Sequence, residues 1–589
     1  MRVAKWIVLV ALVGVFTGML WAGYHVVNAP TNGDEDTTPP SDEPTDPDHP
    51  TVPDSLELYR LFLRNTEDVD QLKALLDEDG GIVYHAHLAL ARLYRENGEL
   101  AKAIDHFEDA LALYRSSDAL REYAETLEEE GHHEEACALW QRLLPHSAAA
   151  DAVQRLCPPL TAAVFLNRAG LHVDALAVLA EEATPAVEWE RARARVGLGE
   201  HKAALDHFRS FLEHDPENLE ARLQYASALD RAGSTERALA EYQRVGPGGM
   251  RARGRLLERL GRADEALEAY AQSSDPEGLW RAAQMLEERD ERTRANRIYK
   301  DLVASRSRVA DDAALRLYLY YQRQGEADAA GVYLDELSLA LAYLADAFDG
   351  TWRVVDDPVM AETPPALTRA DALLESFNME WSLIELDVLL KEATSAERIA
   401  VGQWLLENKL YHRAVRLGMG MFSEIPSLSV YQLAYPLAYK DLVLAASNEF
   451  EVDPFLIWAV MREESHFRPD ALSWADARGL MQVIPSTGEW IAERLKEEYR
   501  GQALYEPEVS IRYGAWYLAH LVELFDGELS QVVAAYNGGP GSVNRWLRSP
   551  VYQEPVDLPG VTTFQETREY IDKVLSSWLI YHWLYSDES

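Results

Sequence analysis

The sequence predicts a mainly all-α protein: an N-terminal transmembrane helix, an α-solenoid of helical hairpins, then an α-rich domain at the C-terminus. Three observations predict this. Residues 6–33 hold no Asp, Glu, Lys or Arg. From about residue 60 to 345, Ala, Leu, Glu and Arg recur at helical periodicity with few strand signals. Through the same stretch a Gly is followed five residues later by Ala and four later again by an aromatic, at intervals typical of helical repeats. With 589 residues the chain is long enough for three or four domains. Its 98 acidic side chains against 56 basic ones, net −42, argue against a nucleic-acid partner, because phosphate recognition needs clustered Lys and Arg. Two cysteines rule out a disulfide-stapled scaffold and any thiolate metal cluster, and neither metal nor cofactor is expected.

Residues 6–27, WIVLVALVGVFTGMLWAGYHVV, are long enough for a bilayer core, which takes about 20 residues. Arg2 and Lys5 precede the run, and the next Lys or Arg is Arg60, so the asymmetry puts the folded part outside the membrane. Residues 1–28 are read as an uncleaved anchor, with a cleaved signal peptide as the alternative. Residues 29–58 follow as a tether. Six prolines and eight acidic side chains between 31 and 54 cannot repay the entropy of ordering.

Residues 59–365 form the predicted solenoid. The Gly/Ala/aromatic triplet occurs as Gly98/Ala103/Phe107, Gly131/Ala136/Trp140, Gly199/Ala204/Phe208, Gly233/Ala238/Tyr242 and Gly261/Ala266/Tyr270. Partial copies are Gly170/Ala175 and Gly325/Ala330, while Asp290/Ala295/Tyr299 has lost its Gly. Gly ends one helix, Ala lets the next approach closely, and the aromatic fills the space between them. Five copies resemble the tetratricopeptide repeat; a generic α-solenoid is the other reading. Either would offer a surface for protein partners. Cys137 and Cys157 lie here, free to pair outside the cytosol or to stay reduced. Residues 366–440 continue helical without the repeat and read as a connector.

The chemistry is placed in residues 441–589. Asp453-Pro454 is a helix start, with an N-cap acceptor and Pro at the first helical position. FLIWAVM then follows, apolar on every face, so the helix is buried all round and delivers Arg462-Glu463-Glu464-Ser465 at its end. A carboxyl so placed is poorly solvated, which raises its pKa toward that of a general acid. In AYNGGPG a helix capped by Ser530 stops at glycines, leaving Tyr536 and Asn537 at its end.

Four motifs stand in order: Glu464-Ser465, Gly479-Leu480-Met481-Gln482, Ala535-Tyr536-Asn537-Gly538-Gly539-Pro540-Gly541, and Glu566-Thr567-Arg568 with Tyr570. Together they resemble the catalytic domain of the soluble lytic transglycosylase family, which has a goose-type lysozyme-like fold. Tyr435-Pro436-Leu437-Ala438-Tyr439 occupies the junction position of that family. The resemblance implies a peptidoglycan lytic transglycosylase of the cell envelope, facing the periplasm. Glu464 would protonate the oxygen between N-acetylmuramic acid and N-acetylglucosamine, then take the proton of the muramic 6-hydroxyl as the 1,6-anhydro ring closes. Glu566 lies in a motif associated with that family's cleft and is assigned substrate positioning. By residue type, Met481 and Gln482 offer an apolar and an amide contact to an N-acetyl sugar, Tyr536 a hydrogen bond to Glu464 or to a sugar hydroxyl, and Asn537 a hold on the loop. These and Ser465 are the substrate-side candidates, with Trp474, on the loop between motifs, as the aromatic face for a sugar. An ion pair with Arg568 or Arg478 is the structural alternative for Glu566. Three positions depart from the pattern: Asp476 for Gly, Gly538 for Ala and Thr563 for Pro; Asp at 476 is compatible with left-handed backbone. Two other readings stay open. One is a hydrolase on the same fold, which needs a second carboxylate such as Asp470, Asp476 or Glu489. The other is an idle scaffold for cell-wall partners.

Overall fold

The computed structural model describes residues 56–179, 183–348, 350–352, 354–360 and 362–586. Among these residues the regular structure is helical throughout, with three isolated β-bridges and no sheet. They divide into two compact units, one of residues 56–216 with 358–404, the other of 217–357 with 405–586. None of the described helices is long and apolar enough to cross a membrane; residues 6–27, the expected anchor, lie outside the described residues.

In the first unit the repeat glycines do what their spacing implies. Gly98, Gly131, Gly170 and Gly199 have φ of 75°, 91°, 79° and 74°, the left-handed C-cap that only glycine adopts without cost. The paired Ala103, Ala136, Ala175 and Ala204 are fully buried, as are Phe107 and Phe208, so neighbouring helices meet at van der Waals distance. Residues 358–404 return to the first of these helices. Glu385, fully buried, accepts from the Tyr59 hydroxyl at 2.5 Å, the Gly81 amide at 2.6 Å and Arg369 Nε at 2.7 Å. Cys137 and Cys157 are joined as a disulfide, their Cα atoms 5.4 Å apart, which settles the pairing that the sequence leaves open.

The second unit repeats the pattern at Gly233, Gly261 and Gly325, with φ of 81°, 73° and 75°. In the copy lacking Gly, Asp290 takes the same conformation at φ 59°. Its neighbours Ala295 and Tyr299 are still fully buried, so the repeat survives the substitution.

The C-terminal domain packs on these repeat helices through buried charge. Arg568, on the final helix Gln565–Tyr585, donates to Glu277 at 2.5 Å and to Asp312 at 2.6 Å, both on repeat helices. Arg316 bridges Glu287 and Asp557, and Arg323 donates to both oxygens of Asp557, which is wholly buried. Ion pairs at this depth are poor sources of net stability but leave a large penalty if one partner is lost. They therefore fix where the final helix lies.

Candidate active site

The helix that carries Glu464 runs Pro454–Ser465 and begins as the sequence implies: Asp453 accepts from the Phe455 amide at 2.9 Å, with Pro454 in the first turn. The other oxygen of Asp453 takes the Trp578 indole N–H at 2.6 Å and stands 3.0 Å from His582 Nε2, tying the start of this helix to the final one. Residues Phe455 through Arg462 are all buried. The junction strap lies along the same helix. The Ala434 and Ala438 carbonyls accept from Arg462 Nε at 2.9 Å and Trp458 Nε1 at 2.7 Å. Those of Tyr435 and Pro436 accept from the Tyr585 and Tyr581 hydroxyls on the final helix.

At the helix end two adjacent glutamates are driven apart electrically. Glu463 is held by the Arg462 guanidinium and by the Ser577 hydroxyl at 2.6 Å, which outweigh its burial and keep its carboxyl below the usual range. Glu464, half-buried, has no cation beside it. Burial pushes its carboxyl up to about 8, with the charges of Glu463 and Glu566 adding to the shift and a hydrogen bond from Tyr570 opposing it. The Tyr570 hydroxyl donates to Glu464 Oε1 at 2.6 Å. Such a pair, one carboxyl neutral and one ionised at pH 7, is how a fold assigns acid chemistry to a single residue.

The loop facing this helix end is tied at every backbone position that matters. Ser465, buried, donates to the carbonyls of Met461 at 3.0 Å and Leu480 at 2.7 Å, so it clamps helix to loop. Gly479, at φ 73°, would place a Cβ 1.9 Å from the Leu504 carbonyl; no other residue fits. Met481 is fully buried with its side chain against Gly514; its amide donates to Ser510 Oγ at 3.1 Å and its carbonyl accepts from the Tyr536 hydroxyl at 2.9 Å. Gln482 donates to the Ala471 and Gly479 carbonyls at 3.1 and 2.8 Å. Its Oε1 is buried without a protein partner, an acceptor free for a ligand amide or hydroxyl. Asn537 Oδ1 accepts from the Thr567 hydroxyl at 2.6 Å, joining the AYN and ETR motifs.

These contacts distinguish the sequence-derived candidates. Ser465, Met481 and Tyr536 spend the polar groups just described on the protein itself, and Asn537 is bonded to Thr567. Trp474 is 87% exposed on the loop, and Glu566 is exposed at the start of the final helix. Neither arginine suggested for Glu566 reaches it: Arg568 turns to Glu277 and Asp312, and Arg478 grips Asp476 with two bonds of 2.8 and 3.0 Å. That grip, with Asp476 at φ 62°, shows how the loop accepts Asp where glycine is usual. Ser530 does not cap its helix. The helix starts at Leu529, and Ser530 lies inside it, 1% exposed with its hydroxyl unpartnered, because an apolar run this short draws the first turn into the core. Sequence reasoning assigned no role to Tyr570, although the i, i+4 step from Glu566 puts both on one face of a helix.

Comparison with known proteins finds relatives of both parts of the chain. Residues 441–555 match the transglycosylase SLT domain, and residues 85–117 and 195–253 match tetratricopeptide repeats. The soluble lytic murein transglycosylase of Salmonella typhimurium is 34% identical over 145 residues, 24% of this chain and 22% of that protein. The membrane-bound lytic murein transglycosylase C of Edwardsiella ictaluri is 35% identical over 162 residues, 25% of this chain and 44% of that protein. The matches thus span less than half the length of these relatives. A solved complex of the 70-kDa soluble lytic transglycosylase with bulgecin A shares the fold at a TM-score of 0.51 and 18% identity, covering 90% of this chain and 91% of that one. The chain therefore carries a region similar to the transglycosylase SLT domain at residues 441–555, with regions similar to tetratricopeptide repeats ahead of it.

Proposed function

We propose that this protein is a peptidoglycan lytic transglycosylase that cuts between N-acetylmuramic acid and N-acetylglucosamine and leaves a 1,6-anhydromuramoyl end. The observation that carries the reading is the state of Glu464, a carboxyl held neutral near pH 7 at the end of a buried helix. Neutral, it gives its proton to the departing glycosidic oxygen. As carboxylate it then takes the proton of the muramic 6-hydroxyl, whose oxygen closes on the anomeric carbon. No water is consumed, and no second carboxylate is needed to activate one.

Three features support this over hydrolysis. Glu463, the nearest carboxylate in sequence, is committed to Arg462 and Ser577. Asp476 is committed to Arg478. Asp470 and Glu489 are exposed, and neither contributes to the electrostatics of Glu464. In this reading Trp474 stacks on a sugar ring, Glu566 positions the glycan, and the free Oε1 of Gln482 accepts from a substrate N–H or O–H. Ser465, Met481, Tyr536 and Asn537 keep the cleft in shape.

We place the protein in the cell envelope, anchored through residues 6–27 and held off the membrane by residues 29–58. The Cys137–Cys157 bond suits an oxidising compartment. The repeat array is the surface for protein partners. The test is to digest purified peptidoglycan with the full-length chain and with Glu464→Gln and weigh the released muropeptides. Ends lighter by one water, absent with the variant, are expected. Full-mass reducing ends would instead identify a hydrolase, and no product from either protein, on substrate that a known muramidase digests, a scaffold.

A further inference from the structure

Two histidines that the catalytic account leaves unused face each other across the first repeat hairpin. His87 lies on the helix Gly81–Glu96 and His106 on the helix Leu100–Leu113, with Asp109 one turn beyond His106. The two Nδ1 atoms are 3.0 Å apart, and His87 Nδ1 is 3.6 Å from Asp109 Oδ2. One donor atom from each of the three residues falls within 4.8 Å of the others.

Those separations are the argument. Tetrahedral zinc bound at about 2.0–2.1 Å by nitrogen and carboxylate oxygen sets ligand atoms about 3.3 Å apart. The separations of 3.0 and 3.6 Å lie on either side of that value, and the third pair is within 4.8 Å. Apart from a metal, only a single shared proton can join two facing Nδ1 atoms, since one must donate and the other accept. The site is also supported. The His106 ring stacks on Tyr94, 5.5 Å between centroids and 1° from parallel, which fixes the plane of its lone pair. Both imidazoles are half-buried while Asp109 is exposed, so the third ligand and an entry path are on the solvent side. Asp105 adds negative charge beside His106, and Lys73 is the opposing positive one.

We propose that His87, His106 and Asp109 bind one divalent transition-metal ion of the zinc type, which staples the two helices of this hairpin and leaves one position to water. Neutral imidazole and carboxylate suit zinc rather than calcium or magnesium. Binding displaces the proton that one Nδ1 would otherwise carry. Because only the folded hairpin brings the three groups together, the ion stabilises the fold by mass action.

The test uses the full-length chain, purified in detergent and stripped with a chelator. Cobalt(II) alone is titrated in as a spectroscopic probe and displaced with zinc, while Tm is followed in parallel. Expected are one site per chain with the intense visible bands of tetrahedral cobalt, and a rise in Tm. Both should be lost in His87→Ala and His106→Ala. Asp109→Asn removes only an exposed group and leaves the helices intact; it should weaken binding about tenfold or more. Cobalt bands no stronger than those of the His87→Ala/His106→Ala double variant would overturn the site. Unchanged affinity in Asp109→Asn would overturn the three-ligand assignment.

Discussion

The Tyr570 hydroxyl donates to Glu464 Oε1 at 2.6 Å, which leaves Oε2 as the oxygen that carries the acidic proton. One bond thus distinguishes the two oxygens of the carboxyl. It also stabilises the charged form, so it limits how far burial can raise the pKa.

Tyr570→Phe should therefore have two separable effects. Turnover falls about 10–100-fold, as a hydrogen bond to a charged group is worth about 1.5–3 kcal/mol. The high-pH limb of the rate profile, which in the native protein tracks loss of the Glu464 proton near 8, moves upward. A pH–rate series on soluble glycan strands reads both.

Glu566→Gln should move that limb the other way. Glu566 is exposed and its charge raises the Glu464 pKa, so neutralising it lowers the pH at which Glu464 loses its proton. Opposite displacements in the two variants would tie the limb to Glu464 rather than to the substrate.

Glu464→Gln should be more stable than the native protein at neutral pH. The folded pKa of Glu464 lies above its unfolded value, so its contribution is intact below about 4.5 and is lost as pH rises toward 8. The stability gap between variant and native protein, measured by urea unfolding, should widen over that window and close below it.

Arg568→Ala removes the shared partner of Glu277 and Asp312, whose side chains are 5% and 12% exposed. Two acidic groups left in the core cost about 3–5 kcal/mol. Denaturant titration should show the loss, and activity should fall with it, because Arg568 sits two residues before Tyr570 on the same helix.

Cys137→Ser with Cys157→Ser opens a loop closed across 20 residues. The chain-entropy model assigns that closure about 3 kcal/mol. Thiol titration of the unfolded native chain should find no free cysteine, and the variant should melt earlier.

Much of this was legible in the sequence because it rests on local rules. Left-handed glycine followed by buried alanine marks each hairpin, and Asp290 shows that the rule concerns φ rather than the residue. The helix that carries Glu464 is announced by Asp453-Pro454 and an all-apolar run. What was not legible depends on partners far apart in the chain. Tyr570 meets Glu464 across 106 residues, and Arg568 meets Glu277 across 291. Gln482 and Ser465 read as ligand contacts by type; the Ser465 hydroxyl and the Gln482 amide N–H bond loop carbonyls that no linear pattern reveals, while the Gln482 Oε1 is left without a protein partner. The His87–His106 pair follows no spacing rule, since its two members come from antiparallel helices.

The most direct test of the central claim is digestion of purified peptidoglycan in water enriched in heavy oxygen, with mass analysis of the new ends. If Glu464 directs the muramic 6-hydroxyl onto the anomeric carbon, the ends are anhydro and carry no label, and Glu464→Gln makes none. Labelled reducing ends would mean that water attacks, and would contradict the account.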